Sequence, residues 1–484
     1  MSSSTFKFDN TYLHLPNVFY TKLQPTPVPK PEMVLLNTQL AIDLCLDFSS
    51  ISSTELAQMF AGNQMPEGAE PFAQAYAGHQ FGHLALLGDG RAIAWGEHVT
   101  PSGQRVDLQF KGSGPTPYSR GGDGRAAIGP MLREYLISEA MHALHIPTTR
   151  SLAVVTNGQQ VYRETPLPGA ILTRVSSSHI RVGTFQYAAL QQNQDTIKSL
   201  LDYTIERHIP HLKSTQNKPL ALLKTIIEKQ AELVTHWMRV GFIHGVMNTD
   251  NMALSGETID YGPCAFMDTY DPGTVFSSID HQGRYAYANQ PAIAQWNLAR
   301  LAETLLPLLD DNAETAKEIA EEVINGFGTV YKEKSLSMLR AKIGLFGDST
   351  EDESLITDLL DWMQKQEADY TNTFLDLTYN RPPTGPLYDD DTFKKWHARW
   401  QERLAKNQEP IESSLKLMRA SNPAVIPRNH QVEQVLESAT HGDLAPLKSL
   451  LTALQEPYKN SPDLKPYQSS PKPEEKVCQT FCGT

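Results

Sequence analysis

The chain changes its hydrophobic period once, from the two-residue repeat of strands to the longer repeat of helices. Between residues 67 and 190, short apolar runs and clean alternation predict strands, with Val106, Leu108 and Phe110 on one face of one of them. From residue 191 to about 378, apolar residues recur at helical spacing. A run of strands followed by a run of helices predicts an α+β fold with a β-rich N-terminal lobe and a helical C-terminal lobe.

Changes in composition divide the rest of the chain. A proline-rich, irregular stretch precedes the strands, and a linker rich in proline and glycine follows the main helical region. Prolines recur every few residues after Gln455, which favours a loose tail. We therefore expect four segments: an N-terminal extension at 1–66, the β-rich lobe at 67–190, the helical lobe at 191–378, and a C-terminal helical extension with a loose, cysteine-containing tail at 379–484.

Two local patterns bear on the candidate site. The apolar runs 84–87 and 92–95 flank the turn Gly88-Asp89-Gly90, which predicts a hairpin between these two runs. Pro130 stands at the first turn of a predicted helix that covers about 131–144, a position where proline is tolerated because its missing N–H would have no partner there.

The charge of the chain disfavours nucleic acid as a partner, and the distribution of that charge predicts an anion site. The chain has 42 Lys and Arg against 55 Asp and Glu, a net charge of −13, which disfavours nucleic acid. No run of about 18 apolar residues predicts a membrane span, and the N-terminus lacks an apolar signal segment, so we expect a cytoplasmic protein. Residues 86–181, however, contain nine arginines and one lysine against seven acidic residues. Because arginine forks bind phosphate or carboxylate, this window predicts an anion site, with a solvated basic face as the alternative.

Two glycine-rich turns are candidate phosphate contacts. Gly88 and Gly90 would let the backbone approach a phosphate closely, and the adjacent Arg91 would neutralise it; a plain tight turn is the alternative. Asp123 and Gly124 lie in a second glycine-rich loop just before the predicted helix. Exposed backbone N–H groups in such a loop bind anions, and a flexible surface loop is the alternative.

A lysine at a strand end is the third candidate. Lys111 is the last residue of the alternating strand 105–111, on the face away from its apolar side chains. Protein kinases pair a strand lysine with a helix glutamate to hold nucleotide phosphates. Spacing gives Glu134 as the partner of Lys111 and Glu139 as the alternative; an unpaired, exposed lysine is the other interpretation.

The most specific pattern lies near the middle of the chain. His244 is followed seven residues later by Asn251, and Asp260 begins an Asp-Tyr-Gly triplet, an order that matches the catalytic loop and metal-binding segment of kinases. Amide and carboxylate oxygens suit Mg²⁺ or Mn²⁺ beside phosphates. Kinases have Asp two residues after the His, whereas this chain has Val246. The available carboxylate is Asp250, so ordinary kinase geometry is not expected.

These segments resemble the selenoprotein O family of protein adenylyltransferases, which have a protein-kinase-like fold. The matching segments are Tyr76-Ala-Gly-His-Gln-Phe-Gly82, Gly88-Asp-Gly-Arg91, Lys111-Gly-Ser-Gly-Pro-Thr-Pro-Tyr-Ser-Arg120, Gly122-Asp-Gly-Arg125, His244-Gly-Val-Met-Asn-Thr-Asp-Asn-Met252, Asp260-Tyr-Gly-Pro263 and Asp280-His-Gln-Gly-Arg-Tyr285. The resemblance implies transfer of AMP, or in some bacterial members UMP, from ATP or UTP to Ser, Thr, Tyr or His side chains of proteins, with release of pyrophosphate. It also implies a nucleotide bound in reverse, with its α-phosphate towards the acceptor.

The resemblance implies roles for eleven residues. Asp250 would be the catalytic base, and Asn251 and Asp260 would hold Mg²⁺ or Mn²⁺. The nucleotide contacts would be Gly88, Gly90, Arg91, Lys111, Asp123, Gly124, Arg174 and Arg181. Two alternatives stay open: a kinase that transfers the γ-phosphate, and a non-catalytic pseudokinase that only binds nucleotide.

Four cysteines are too few for a disulfide framework. Cys478 and Cys482 could nevertheless form a short-loop disulfide near the end of the chain. Cys264, four residues after Asp260, is another possible partner and would tie the tail to the site. We hypothesise that such a bond controls activity, and reduced, idle thiols are the alternative.

Overall fold

A computed structural model describes residues 6–379 and 382–481. Its strands, in chain order, are β1 (Tyr20–Lys22), β2 (Glu32–Leu36), β3 (Phe72–Gln74), β4 (Ala77–Gln80), β5 (His83–Leu86), β6 (Ala92–Val99), β7 (Arg105–Lys111), β8 (Ala126–Ala127), β9 (Arg150–Tyr162), β10 (Pro166–Ser176), β11 (Phe242–Ile243) and β12 (Ala265–Phe266). All but two of these strands precede residue 177, so the N-terminal part is the β-rich one, as the change of period predicts.

Helices occupy most of the chain after residue 181. The α-helices are α1 (Thr38–Asp43), α2 (Ser53–Phe60), α3 (Ile128–Ala143), α4 (Val182–Leu190), α5 (Gln194–His208), α6 (Lys218–Val240), α7 (Gln290–Leu309), α8 (Ala313–Asn325), α9 (Phe327–Lys342), α10 (Asp352–Lys365), α11 (Tyr370–Tyr379), α12 (Asp391–Ala405), α13 (Ile411–Ser421), α14 (Asn429–Thr440), α15 (Ala445–Leu454) and α16 (Lys465–Gln468). The fold is therefore α+β with a β-rich lobe followed by a helical lobe, the two-lobed organisation predicted from the sequence. The predicted segment boundaries at 66, 190 and 378 stay predictions.

The main sheet of the N-terminal lobe is antiparallel in the order β1-β3-β6-β7-β10-β9-β2, with β8 paired to β10, and β4 and β5 form a separate two-stranded sheet. Strands β1 and β2, which come from the expected N-terminal extension, belong to this same sheet. On central strand β7, Val106, Leu108 and Phe110 are buried in the apolar cluster that includes α1 and α2. The opposite face of β7 therefore presents its polar side chains to the other side of the sheet.

Strand register places the candidate cations side by side. Arg174 on β10 lies opposite Gln109 on β7, two residues before Lys111. Residues two apart on a strand share a face, and so do directly opposed residues on neighbouring strands. Helix α3 packs against β9 and β10 and presents Glu134 to this polar face. The predicted helix at 131–144 is thus confirmed within three residues at its start and one at its end.

The predicted hairpin between 84–87 and 92–95 is wrong. Strand β5 pairs instead with β4, and β6 pairs with β3 and β7. The turn between β4 and β5 is Phe81-Gly82, with φ values of 50° and 88°, the left-handed conformation that a two-residue type I′ turn requires. Phenylalanine is rare at positive φ, so the sequence gives no turn signal there, whereas Asp89-Gly90 gives a strong one.

The segment with the kinase-like spacing connects α6 to α7 in the helical lobe. Gly241, at φ 72°, ends α6, and the short strands β11 and β12 pair antiparallel just beyond it. Residues 244–264 form the loop between these two strands. Because both its ends are fixed in a buried core that includes Phe242 and Phe266, the loop has a defined position against the sheet.

The segment around Thr480 lies against this same loop. Thr480 donates its N–H to the Phe276 carbonyl at 2.7 Å and its hydroxyl to the Pro263 carbonyl at 2.6 Å. Cys264 is a buried free thiol and Cys478 an exposed one. Cys482 lies outside the described residues, so the predicted disulfides with it stay predictions. Across the described ranges, none of the helices combines the length and the apolar character of a membrane span.

A buried arginine ties the C-terminal helices to the helical lobe. Arg428, which is 1% exposed, contacts Asp268 and Asp369 at 2.7 Å each and donates to the Gln468 carbonyl at 3.1 Å. Two carboxylates and one guanidinium are thus withdrawn from water together.

We expect Arg428→Met to lower the free energy of unfolding by about 3–5 kcal/mol, because it leaves two largely buried carboxylates without their cation. Chemical denaturation followed by tryptophan fluorescence measures the change. Arg399→Met is the matched control, since Arg399 pairs with Asp358 at the surface and should cost less than about 1 kcal/mol. Equal effects of the two substitutions would contradict a structural role for the buried cluster.

Candidate active site

One cavity of about 640 Å³ lies between the polar face of the sheet and the loop 244–264. Its volume falls in the usual range for small-molecule sites. All eleven residues proposed from the sequence line it: Gly88, Gly90, Arg91, Lys111, Asp123, Gly124, Arg174, Arg181, Asp250, Asn251 and Asp260. The fold therefore brings together positions that are up to 172 residues apart in the chain.

Two cations and two carboxylates form a compact ion cluster at the closed end of this cavity. Lys111 Nζ lies 2.6 Å from Glu134 Oε2 and 2.8 Å from Asp260 Oδ1. Arg174 reaches the same two carboxylates, each at 2.6 Å from its Nη2. We call these four residues the ion cluster. It joins β7, β10, α3 and the loop that carries Asp260.

Glu134 is the partner of Lys111, and the alternative, Glu139, is not. Glu139 lies one turn further along α3 and pairs with Arg150 at 2.6 Å. It also accepts a hydrogen bond from the Asn37 side chain at 2.7 Å. The spacing argument for Glu134 is thus confirmed by the geometry.

The cluster keeps both of its carboxylates ionised. Burial alone would raise the pKa of Glu134, but Arg174 and Lys111 outweigh it, and the pKa lies below its usual value. Burial likewise opposes ionisation of Asp260, and Lys111, Arg174 and Arg181 hold its pKa well below the usual range. Asp260 has the left-handed φ of 62°, which is uncommon for a residue with a side chain.

Asp250 has the opposite environment. Its Oδ1 atom is buried and has no hydrogen-bond partner among the described residues. Burial raises the pKa of Asp250 to about 6, although the Arg181 cation opposes the shift. A side chain in place of Gly78 would overlap the Asp250 carboxyl group, so the backbone of β4 packs directly against it. Asp250 also lines the cavity, so its carboxyl group can meet a bound ligand there.

Arg181 connects Asp250 to the rest of the site. Its Nη1 donates to the main-chain oxygen of Asp250 at 3.2 Å and lies 3.8 Å from Asp260 Oδ2. Its guanidinium also lies 4.3 Å from the centre of the Tyr76 ring. The Arg181 side chain is fully buried, so its charge acts in a low-dielectric setting where electrostatic interactions are strong.

The two glycine-rich turns line the more open side of the cavity. Gly88, at φ 135°, packs so closely on the Tyr118 ring that a side chain there would overlap it. Asp123 pairs with Arg163 at 2.9 Å and accepts the Arg125 N–H at 2.9 Å. These contacts fix both turns against the rim.

The loop residues offer oxygen atoms that suit a divalent cation. The side-chain amide of Asn251 donates its N–H to the Val246 carbonyl at 3.0 Å, which orients the amide group. The ionised Asp260 lines the same cavity and adds carboxylate oxygens, which are hard donors. His244 is buried, with its Nε2 atom 2.8 Å from the Ile259 carbonyl, so it positions the loop.

Several lining residues were missed by the sequence argument. Gln109 lies between Asp89 and Arg174, within 3.1 Å and 3.3 Å of their polar atoms. The Asn248 side-chain oxygen accepts the Phe81 N–H at 3.1 Å and the Tyr285 hydroxyl at 2.6 Å. The polar face of β7 could have indicated Gln109. The contact of Asn248 depends on the unpredicted β4–β5 hairpin.

Comparisons with known proteins show which family and which relatives this chain is similar to. A family model described as protein adenylyltransferase SelO matches residues 3–455. A protein of Nitrosococcus oceani named protein nucleotidyltransferase YdiU is 61% identical over 478 residues, which are 99% of this chain and 97% of that protein. Proteins of the same name from Syntrophotalea carbinolica and Alcanivorax borkumensis are 58% identical over 480 residues (99% of this chain, 98% of that protein) and 57% identical over 484 residues (100% of both).

Among solved structures, ROP2 from Toxoplasma gondii, described as a virulence factor with a protein-kinase fold and no enzymatic activity, is 10% identical with a TM-score of 0.25. The match covers 70% of this chain and 84% of that one. A likeness at this level carries no argument.

The ion cluster yields a test with a matched pair on one helix. We expect Glu134→Gln to weaken nucleotide binding about 10–100-fold, since it removes a charge-assisted contact from both Lys111 and Arg174. Glu139→Gln should leave nucleotide affinity unchanged because its partners lie outside the cavity. Titration with a fluorescent ATP analogue measures both, and thermal melting shows whether each variant is folded. Equal affinity in the two variants would contradict the assignment.

Proposed function

Because this chain belongs to the SelO family, it is a protein nucleotidyltransferase, and we propose that it transfers the nucleoside monophosphate of ATP or UTP to side chains of acceptor proteins. The observation that carries the proposal is the meeting, in one cavity, of an unpartnered buried carboxylate, an ionised carboxylate and several cations. The alternatives of a γ-phosphate kinase and a non-catalytic binding protein have no observation in their favour.

The triphosphate would lie along the cationic wall of the cavity. Lys111, Arg174 and Arg181 are buried, and Arg91 lies towards the glycine-rich turns. Preorganised cations at the point where charge develops stabilise a transition state without reorganisation. Gly88, Gly90, Asp123 and Gly124 would border the nucleotide on the open side.

Asn251 and Asp260 would hold Mg²⁺ or Mn²⁺, consistent with their oxygen donors and with the low pKa of Asp260. When bound, such an ion would neutralise phosphate charge. The residues of the chain do the remaining work: the ion cluster fixes the position of Asp260, and the amide of Asn251 is oriented by Val246.

Asp250 would act as the general base. The acceptor hydroxyl of Ser, Thr or Tyr, or a His ring nitrogen, attacks the α-phosphorus while its proton passes to the Asp250 carboxylate. The new bond forms at the α-phosphorus, the bond between the α-phosphorus and its bridging oxygen to the β-phosphorus breaks, and pyrophosphate leaves. Val246 stands where kinases have their base, which fits a reacting phosphorus placed differently from that of kinases.

The proposal also covers the partners of the protein and the place of the reaction. The acceptors would be proteins, with no nucleic acid or membrane as partner, and the reaction would take place in the cytoplasm. The overall negative charge supports the exclusion of nucleic acid.

The decisive experiment is label transfer. The protein is incubated with Mg²⁺ or Mn²⁺, an acceptor protein, and ATP or UTP labelled at either the α- or the γ-phosphate. We expect label in protein only from the α-phosphate, with pyrophosphate as the second product. Label only from the γ-phosphate would make the chain a kinase, and no label from either would favour a binding protein.

We expect Asp250→Asn to lower the rate of transfer by about 10²–10⁴-fold, the usual contribution of a general base. Nucleotide affinity should change less than the rate, because an amide of the same shape still fits beside Gly78. The control is Asp311→Asn, which removes an exposed carboxylate from a loop between α7 and α8. A turnover within threefold of the unmodified protein would exclude Asp250 as the base.

A further inference from the structure

The β4–β5 hairpin lies at the mouth of the cavity and is bonded to the loop 244–264. Residues on both sides of β5 line the cavity: Gln80 and Phe81 before it, and Leu87 after it. The N–H groups of His79 and Phe81 donate to the side chains of Thr249, at 2.6 Å, and Asn248, at 3.1 Å. The hairpin is therefore part of the wall beside Asp250.

The tip of this hairpin is strained, which marks it as a positioned element. Phe81 has a φ of 50°, a conformation that costs free energy for a bulky side chain. Its N–H is held by Asn248, and its ring lies 5.1 Å from the ring of Tyr285. Strain of this kind persists only where surrounding contacts fix the backbone, and it concentrates at functional sites.

Strand register determines which backbone groups of β5 face outwards. In a hairpin with a two-residue turn, the flanking pair, here Gln80 and His83, exchanges both hydrogen bonds, and bonded and non-bonded pairs then alternate. The Leu87 N–H donates to the Tyr76 carbonyl across the hairpin at 2.9 Å, as this alternation requires. The N–H and C=O groups of Leu84 and Leu86 therefore point away from β4, and the described residues supply no further strand on that side.

The outward edge is also apolar and exposed. Leu84 is 48% exposed and Leu86 66% exposed, and neither has a charged neighbour within β5. Ile279, which lines the cavity, is 52% exposed as well. Natural proteins usually protect an open strand edge with charge, proline or a covering segment. An edge that keeps both its backbone groups and its leucines exposed is suited to receive another strand.

We infer that the open edge of β5 binds an extended segment of the acceptor protein as a third strand. The inference rests on the proposed function, because the edge of β5 would be the docking site of the acceptor protein in that reaction. Backbone groups of Leu84 and Leu86 would pair with the segment, and their side chains would contact its apolar residues. Main-chain pairing does not depend on sequence, so this surface fits acceptors of varied sequence that can present an extended segment.

Continuity with the active site favours the acceptor over other occupants. The face of the hairpin that carries Gly78 packs on Asp250, and Ala85 is the direct cross-strand neighbour of Gly78 on that face. A strand added to β5 would therefore run beside the wall that contains the base. A segment leaving either end of β5 would then reach residues that line the cavity.

The first test separates acceptor binding from nucleotide binding. The probe acceptor is reduced, carboxymethylated α-lactalbumin, an unfolded chain that can supply extended segments. We expect the double variant Leu84→Lys/Leu86→Lys to raise the KM for this acceptor at least about tenfold, since loss of one buried leucine contact suffices for that. The kcat at saturating acceptor and the affinity for a fluorescent ATP analogue should stay within twofold.

The matched control is Ile42→Lys on α1. Ile42 is 66% exposed, like Leu86, and lies on the opposite side of the sheet from the cavity. It should leave all three quantities unchanged. An unchanged acceptor KM in the double variant, or an equal loss of nucleotide affinity, would overturn the docking site. No α-phosphate transfer by the unmodified protein would instead contradict the proposed function itself.

A second pair of variants tests strand pairing. Leu84→Ala removes the side chain and keeps the outward N–H, whereas Leu84→Pro also removes the N–H without breaking a bond to β4. We expect the proline variant to have an acceptor KM at least about threefold above that of the alanine variant, as the loss of one hydrogen bond predicts. Equal KM values at equal melting temperatures would exclude pairing. A dimer that dissociates in the double variant, with acceptor KM unchanged, would assign the edge to a second copy.

Discussion

The architecture depends on one buried electrostatic arrangement, the ion cluster of Lys111, Glu134, Arg174 and Asp260. Each cation contacts both carboxylates, so no charge in the cluster is left without a partner. Burying four charges is costly, and only close geometry with mutual pairing offsets that cost. The arrangement therefore fixes the positions of two strands, one helix and one loop relative to one another, and the cavity has its shape because these four elements meet there.

The same cluster explains how one site keeps two carboxylates in different states. Asp260 is surrounded by cations and stays ionised, whereas Asp250 is buried with one oxygen unpartnered and has a raised pKa. Both groups are aspartate carboxyls, so the difference between their pKa values comes from their environments. Arg181 lies between them and contacts the backbone of Asp250 and the side chain of Asp260. A charge-holding role and a proton-accepting role can therefore coexist in one cavity.

The sequence was sufficient wherever local chemistry decides the outcome. Alternation along β7 and the spacing to α3 correctly paired Lys111 with Glu134, because both elements have regular periods. It failed at the hairpin, because a phenylalanine at positive φ has no turn signal and only tertiary contacts hold it there. The contacts of Asn248 could not be foreseen for the same reason: they require a strand whose pairing was assigned to the wrong partner.

The bonds between the hairpin and the loop 244–264 have a consequence for movement. The ion cluster joins the two lobes inside the cavity, and at its mouth the N–H groups of His79 and Phe81 bond to Thr249 and Asn248 of the loop 244–264. Two lobes that are bonded to each other at the mouth of the cavity cannot rotate apart as rigid bodies until those bonds break. We therefore expect substrates to enter and leave through local opening of the β4–β5 hairpin, about ten residues, rather than through rotation of whole lobes. The smaller opening breaks fewer contacts.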